Sequence, residues 1–200
     1  MSPRSLQANQ RLHEAQKERI LSAALPLFAQ QGLAATKMAD IASAAEIGYG
    51  SVYHYFPDKE AIFTALIERM MQESIQHTQE ALTMSGTPWE RLHWWFSRTL
   101  LWVQKHPEMT LFITQVLSNA QEHQELRHLA YHLTQAAQQE VRRLIVEGQE
   151  AGQVIAGEAD QLALVIQSCL HGLAIEAAFA PDQEHKAFPD AMLLLRFLKA

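Results

Sequence analysis

Four groups of side chains in the 200-residue sequence are of the types and spacings that do chemistry. His128 and His132 stand four apart, so on a helix they share a face at the spacing of a two-histidine metal pair. No HExxH-type carboxylate accompanies them, and the pair reads as structural or pocket-lining, with no metal expected. Cys169 and His171 stand two apart and diverge on a helix, which argues against a nucleophile–base pair. Cys169 reads instead as a small buried hydrophobe. All four tryptophans fall between Trp89 and Trp102. Trp95 and Trp102, seven apart, share a helical face, with Phe96 beside them. Any one of these rings is ordinary core packing, but together they exceed what one helix needs. The fourth group lies on a short helix opened by Gly48. There Val52, Tyr55 and Phe56 cluster on one side, and Gly50, Tyr53 and His54 project from the other, with Tyr49 at the exposed end. No Gly-rich phosphate loop and no nucleophile elbow is present. No catalytic residue and no cofactor is therefore expected, and the chain is not read as an enzyme.

Composition narrows what can position these groups. Apolar types make up 48% of the chain, enough for a sizeable core and too many for a disordered one. Only eight glycines and seven prolines occur, which favours long helices over turn-dense β architectures. A single cysteine excludes a disulfide framework and a multi-cysteine zinc site. No stretch approaches the roughly 18 uninterrupted apolar residues of a membrane helix. The N-terminus, MSPRSLQANQRLHEAQ, has no signal-peptide apolar core, so a cytoplasmic location is expected. The formal charge is −6, yet residues 1–60 balance six basic side chains (Arg4, Arg11, Lys17, Arg19, Lys37, Lys59) against six acidic ones. Charge alone therefore does not announce a nucleic-acid partner.

Helical periodicity runs through the whole chain. The spacing predicts a first helix over about Leu12–Gln31, with Gly32 as its C-cap. Thr36 is the expected N-cap of a second helix over Lys37–Ala45. A third runs from about Tyr49 to Phe56 and stops before Pro57. Asp58 caps a long fourth helix to about Ser85. Thr87-Pro88-Trp89-Glu90 is a capping box with proline at the first helical position. It starts the tryptophan-rich helix, which His106-Pro107 breaks. Further helices are expected from Pro107, over about Glu122–Ala151, over about Glu158–Ala180, and from Pro189 to the end. The fold class is all-α: an N-terminal three-helix helix-turn-helix unit plus a C-terminal helical bundle, about nine helices in total. The expected division is residues 1–56 and 57–200, joined by the fourth helix without a linker.

Two short helices joined by a tight turn, with a first helix across them, describe a helix-turn-helix DNA reader. A helix of eight residues spans about 12 Å, which suits a major groove about 12 Å wide. Over Gly32–Lys59, and above all in Gly50-Ser-Val-Tyr-His-Tyr-Phe-Pro-Asp-Lys59, the chain resembles the TetR family of bacterial transcriptional repressors. The likeness covers about residues 15–70; beyond it the match is in helix content and length. Two positions depart from the family pattern. Glu46 stands where a turn glycine is common, so a left-handed backbone there carries a cost. Tyr49 stands where lysine is frequent.

The resemblance implies phosphate contacts from Thr36, Lys37, Ser51, Tyr53 and Lys59, and base contacts or close backbone approach at Gly48, Tyr49, Gly50 and His54. It also implies a homodimer built from the last two long helices, double-stranded operator DNA as partner, and a small hydrophobic or aromatic effector. The expected pocket lining is Trp95, Phe96, Phe112, His128 and Tyr131. Arg4 and Arg11, read as lying ahead of the first helix, form either an arm toward the groove or a disordered tail. The function read from these residues is a ligand-responsive DNA-binding repressor on a palindromic operator. The alternative is a helical small-molecule-binding protein or enzyme without operator binding.

Overall fold

The computed structural model describes residues 3–119, 124–179 and 188–200. Among these residues there are nine α-helices and one terminal 3-10 turn. In chain order they are α1 (Pro3–Ala35), α2 (Met38–Ala44), α3 (Tyr49–Val52), α4 (Lys59–Thr83), α5 (Pro88–Lys105), α6 (Pro107–Asn119), α7 (Gln124–Glu150), α8 (Ala159–Phe179) and α9 (Ala191–Leu195). The only extended pairing among them is an isolated bridge between Val154 and Lys199.

Local signals fix most boundaries. Asp58 accepts the Ala61 amide at 2.7 Å and starts α4. At α5 the capping box is complete: the Glu90 amide donates to the Thr87 hydroxyl, and the Thr87 amide donates to the Glu90 carboxylate at 2.8 Å. The Thr87 amide, and then the Thr87 hydroxyl, donate to the Glu90 carboxylate and hold its pKa below the ordinary 4.5. Gly32 breaks α1 with φ +75°, a left-handed conformation that suits glycine. A β-carbon there would also lie 2.9 Å from Gln115 Oε1 of α6.

Several expectations are corrected. α1 begins at Pro3, so Arg4 and Arg11 lie within it rather than ahead of it. The start expected for α7 near Glu122 and the end expected for α8 at Ala180 fall outside the described residues. Thr36 is not the cap of α2. Lys37 occupies that place without a side-chain cap bond, and the Thr36 hydroxyl turns back to the Gly32 carbonyl at 2.7 Å. α3 proper is a single turn, continued by looser turns to Phe56. The last segment is not one helix to the terminus. α9 gives way to a 3-10 turn, and the chain end pairs with the α7–α8 loop, Ile155 donating to the Leu198 carbonyl.

The apolar faces close two cores. The first joins α1, α2, α3 and the first half of α4 to Met109, Phe112 and Val116 of α6. The second joins α5, the second half of α7, α8, α9 and Ala81 of α4. In the first, Phe28, Phe63 and Phe112 meet ring to ring, with centroids 4.9 to 6.4 Å apart. The N-terminal three-helix unit therefore does not close on itself. Its core is completed by two later helices, and α4 is not the sole mechanical connection between the two parts.

Candidate functional site

The helix-turn-helix is built on the apolar positions Ile41, Ala45, Val52 and Phe56, all buried in the first core. The Tyr55 ring lies tilted against His13 of α1 at 4.9 Å between centroids, which ties the turns after α3 to the first helix. With these residues turned inward, Gly48, Tyr49, Gly50, Ser51, Tyr53 and His54 form one exposed strip, and Lys37 is exposed at the start of α2. Seven of the nine sequence-predicted contact residues are thus exposed.

Two details organise the strip. The Tyr49 and Tyr53 hydroxyls are 2.9 Å apart, with the rings edge to face at 5.3 Å. That hydrogen bond, more than burial, raises the Tyr53 pKa above its ordinary 10.0. The Tyr53 phenol therefore keeps its proton near neutrality, and one hydroxyl of the pair remains able to donate outward. A β-carbon added at Gly50 would meet no atom within 4 Å, and the backbone there is not left-handed. Nothing inside the fold asks for glycine at this position, although glycine in a helix costs about 0.5–1 kcal/mol relative to alanine.

The other two predicted residues are placed differently. Thr36 is buried, with its hydroxyl committed to Gly32. Lys59 is half-buried and donates to the Ala34 carbonyl at 2.8 Å and the Thr36 carbonyl at 3.1 Å. The turn holds Glu46 at φ +52°, a strain of about 1–2 kcal/mol for a non-glycine residue. Arg19 of α1 grips its carboxylate at 2.7 Å. Sequence reasoning missed this partner, because 27 residues separate the pair and no periodic signal links them.

The five predicted pocket residues do not come together. Trp95 and Phe96 lie in the second core, whereas Phe112 lies in the first against Phe28 and Phe63. His128 and Tyr131 are exposed on α7. Helical spacing marks a position as apolar but does not say which of two cores receives it. The His132 side chain lies outside the described residues.

A cluster that the sequence did not single out surrounds Trp95. Its indole N–H donates to the buried Thr78 hydroxyl of α4 at 3.2 Å. His77, next to Thr78, stacks on Trp95 with centroids 6.2 Å apart and tilts against Trp94 at 5.4 Å. Arg98 lies over the Trp94 ring at 5.3 Å. His77 Nε2 is buried without a hydrogen-bond partner.

Residues 20–66 match the family described as bacterial regulatory proteins, tetR family. Over that stretch the chain is similar to the TetR family. The HTH-type transcriptional repressor KstR of Mycolicibacterium smegmatis is 30% identical over 121 residues, which is 58% of this chain and 59% of that protein. The chain aligns with about half to three-fifths of the length of the first curated relatives it matches. Among solved structures, the ketosteroid transcriptional regulator KstR2 of Mycobacterium tuberculosis superposes with a TM-score of 0.70 at 18% identity, over 90% of each chain. The FadR regulator of Bacillus subtilis, solved with stearoyl-CoA, gives 0.70 at 21% identity, over 90% of this chain and 93% of that one. At such identities the superpositions establish the TetR fold and nothing finer.

Burial, and then the Arg98 charge, push the His77 pKa below its ordinary 6.5, with Glu80 pulling the other way. The unfolded chain therefore takes up the His77 proton at higher pH than the folded chain does. Stability is unpenalised above about pH 6.5 and falls as pH drops toward the folded value. Urea titrations across pH 5–7.5 are expected to show this loss, and His77→Gln to remove that part of it. An unchanged slope in the variant would contradict the assignment.

Proposed function

We propose that the protein is a DNA-binding transcriptional repressor that acts as a homodimer on a palindromic operator and releases it when a small apolar effector binds. The observation that carries the reading is the exposed strip of polar and glycine residues on the third helix, held by an apolar underside. Residues 1–56 serve as the reading unit and residues 57–200 as the effector and dimer region. Tyr49, Gly50, His54 and Gly48 face base edges, where glycine lets the backbone come close. Lys37, Ser51 and Tyr53 take phosphate oxygens. The polar groups of Thr36 and Lys59 are already held by chain carbonyls, so these two residues shape the unit instead of touching the duplex. The rival reading, a helical binding protein or enzyme without operator contact, gives no reason for a glycine at position 50.

Electrophoretic mobility shifts with the protein's own upstream DNA test this. Tyr49→Ala and His54→Ala are expected to reduce discrimination between operator and random DNA, each base contact being worth about 1–3 kcal/mol. Gly50→Ala should leave thermal stability unchanged or slightly raised while it weakens operator binding. Equal losses on both DNAs for the two side-chain variants would remove the groove-facing assignment.

The dimer reading rests on α8 and α9. Leu164, Val165, Ile175 and Phe179 are exposed on α8, as are Met192, Leu193 and Phe197 near the C-terminus. α8 is long and apolar enough to cross a membrane by length and composition, with mean hydropathy 1.6 and 22% of that window buried. Gln167, Ser168, His171 and Glu176 interrupt its apolar run. A second copy of the same two helices supplies a matching apolar face, and an isologous pairing is what a palindrome requires. Sedimentation is expected to give a dimer at micromolar concentration and a monomer for the double variant Leu164→Glu, Leu193→Glu. A monomeric wild type would end this reading.

The effector reading draws on the tryptophan cluster and on relatives whose names mention a ketosteroid and stearoyl-CoA. We place the effector beside α4 and α5, near Trp94 and Trp95. Titrating acyl-CoA and sterol ketones should change tryptophan emission and release operator over the same concentration range. A compound that quenches the emission to saturation yet leaves DNA affinity unchanged would show binding without coupling.

A further inference from the structure

Lys59 is the first residue of α4. A cation at that place opposes the positive end of its own helix dipole, and Glu60 beside it is the type favoured there. The reason for the lysine lies in another helix. α1 carries no basic residue in its last turn, so its closing carbonyls have no cation of their own. Lys59 Nζ supplies one, donating to Ala34 at 2.8 Å and to Thr36 at 3.1 Å. The same short segment is held from inside, where the Thr36 hydroxyl donates to Gly32.

We propose that Lys59 is a positioning residue. Its ammonium latches the start of α4 onto the α1–α2 junction and so sets the angle at which α2 and α3 are presented. The DNA consequence rests on the operator-binding reading above; the latch itself does not. Two of the three ammonium protons are already spent on carbonyls, and the side chain is half-buried. Its contribution to DNA binding is therefore geometric. A phosphate contact differs from this in one measurable respect. Each contact removed lowers the slope of log affinity against log salt by about 0.9 on B-DNA, whereas a lost latch leaves the slope where it was.

The test compares wild type with Lys59→Met, which keeps the aliphatic stem, and with Lys59→Gln, which keeps a neutral N–H donor group and covers the case in which the first variant does not fold. Melting temperature without DNA and operator affinity from 50 to 200 mM salt are measured for each. The latch predicts a melting temperature lower by at least about 3 °C. It also predicts operator affinity about tenfold or more weaker, an unchanged salt slope, and intermediate losses for Lys59→Gln. A slope reduced by about 0.9 per subunit, or an unchanged melting temperature, overturns the proposal. If the wild type finds no operator, the function reading fails, and the melting temperature still decides the latch.

Discussion

The contact among Phe28, Phe63 and Phe112 is the one on which the rest of the architecture depends. The three rings come from α1, α4 and α6, and all are fully buried. Phe28 and Phe63 meet nearly edge on, at 87° between planes, an arrangement that adds about 0.5–1.5 kcal/mol beyond area burial. Phe112 enters from the later half of the chain and caps the pair. A three-helix unit of some 55 residues buries little by itself. Borrowing α4 and α6 gives it a core of adequate size. The cost is independence, because any shift of α4 or α6 must repack this cluster.

Interior packing of this kind yields between discrete arrangements and does not bend continuously. An effector acts only through its different affinity for two arrangements. In a dimer the two reading units must stand about 34–36 Å apart to meet successive major grooves. On the function proposed above, displacement of α4 relative to α6 is the natural coordinate, since both enter the phenylalanine cluster. The close approach of Gln115 to Gly32 ties the same coordinate to the break in α1.

Most of the helix inventory was legible because local rules decide it. The Asp58 cap, the Thr87–Glu90 box and the stops at Pro57 and Pro107 need only neighbours within four residues. The inward set of Val52 and Phe56 and the outward set of Gly50, Tyr53 and His54 followed from period alone. What could not be read depends on contacts distant in sequence. Phe112 looked like pocket lining, because its apolar spacing is the same whichever core receives it. Thr36 looked like a cap, but its hydroxyl has a carbonyl four residues back within reach and the cap site passed to Lys37. For Lys59 the resemblance implies a phosphate contact, and nothing local predicts that the Ala34 and Thr36 carbonyls would face it.

Glu46 shows how a local penalty is tolerated. Its left-handed backbone costs about 1–2 kcal/mol, and an exposed ion pair returns at most about 1 kcal/mol. Arg19 therefore does not erase the strain. Its effect is directional: the carboxylate is held toward α1, and the turn has one preferred arrangement where a glycine would allow several. The Tyr49–Tyr53 hydroxyl pair acts similarly one turn later, since two linked phenols lose less freedom on meeting an acceptor than two independent ones. Where a lysine at position 49 would bring a mobile point charge, this strip brings oriented hydroxyls on rigid rings. The exchange gives up salt-dependent, sequence-independent attraction and keeps geometric selectivity. That suits a chain whose first 60 residues carry no net positive charge.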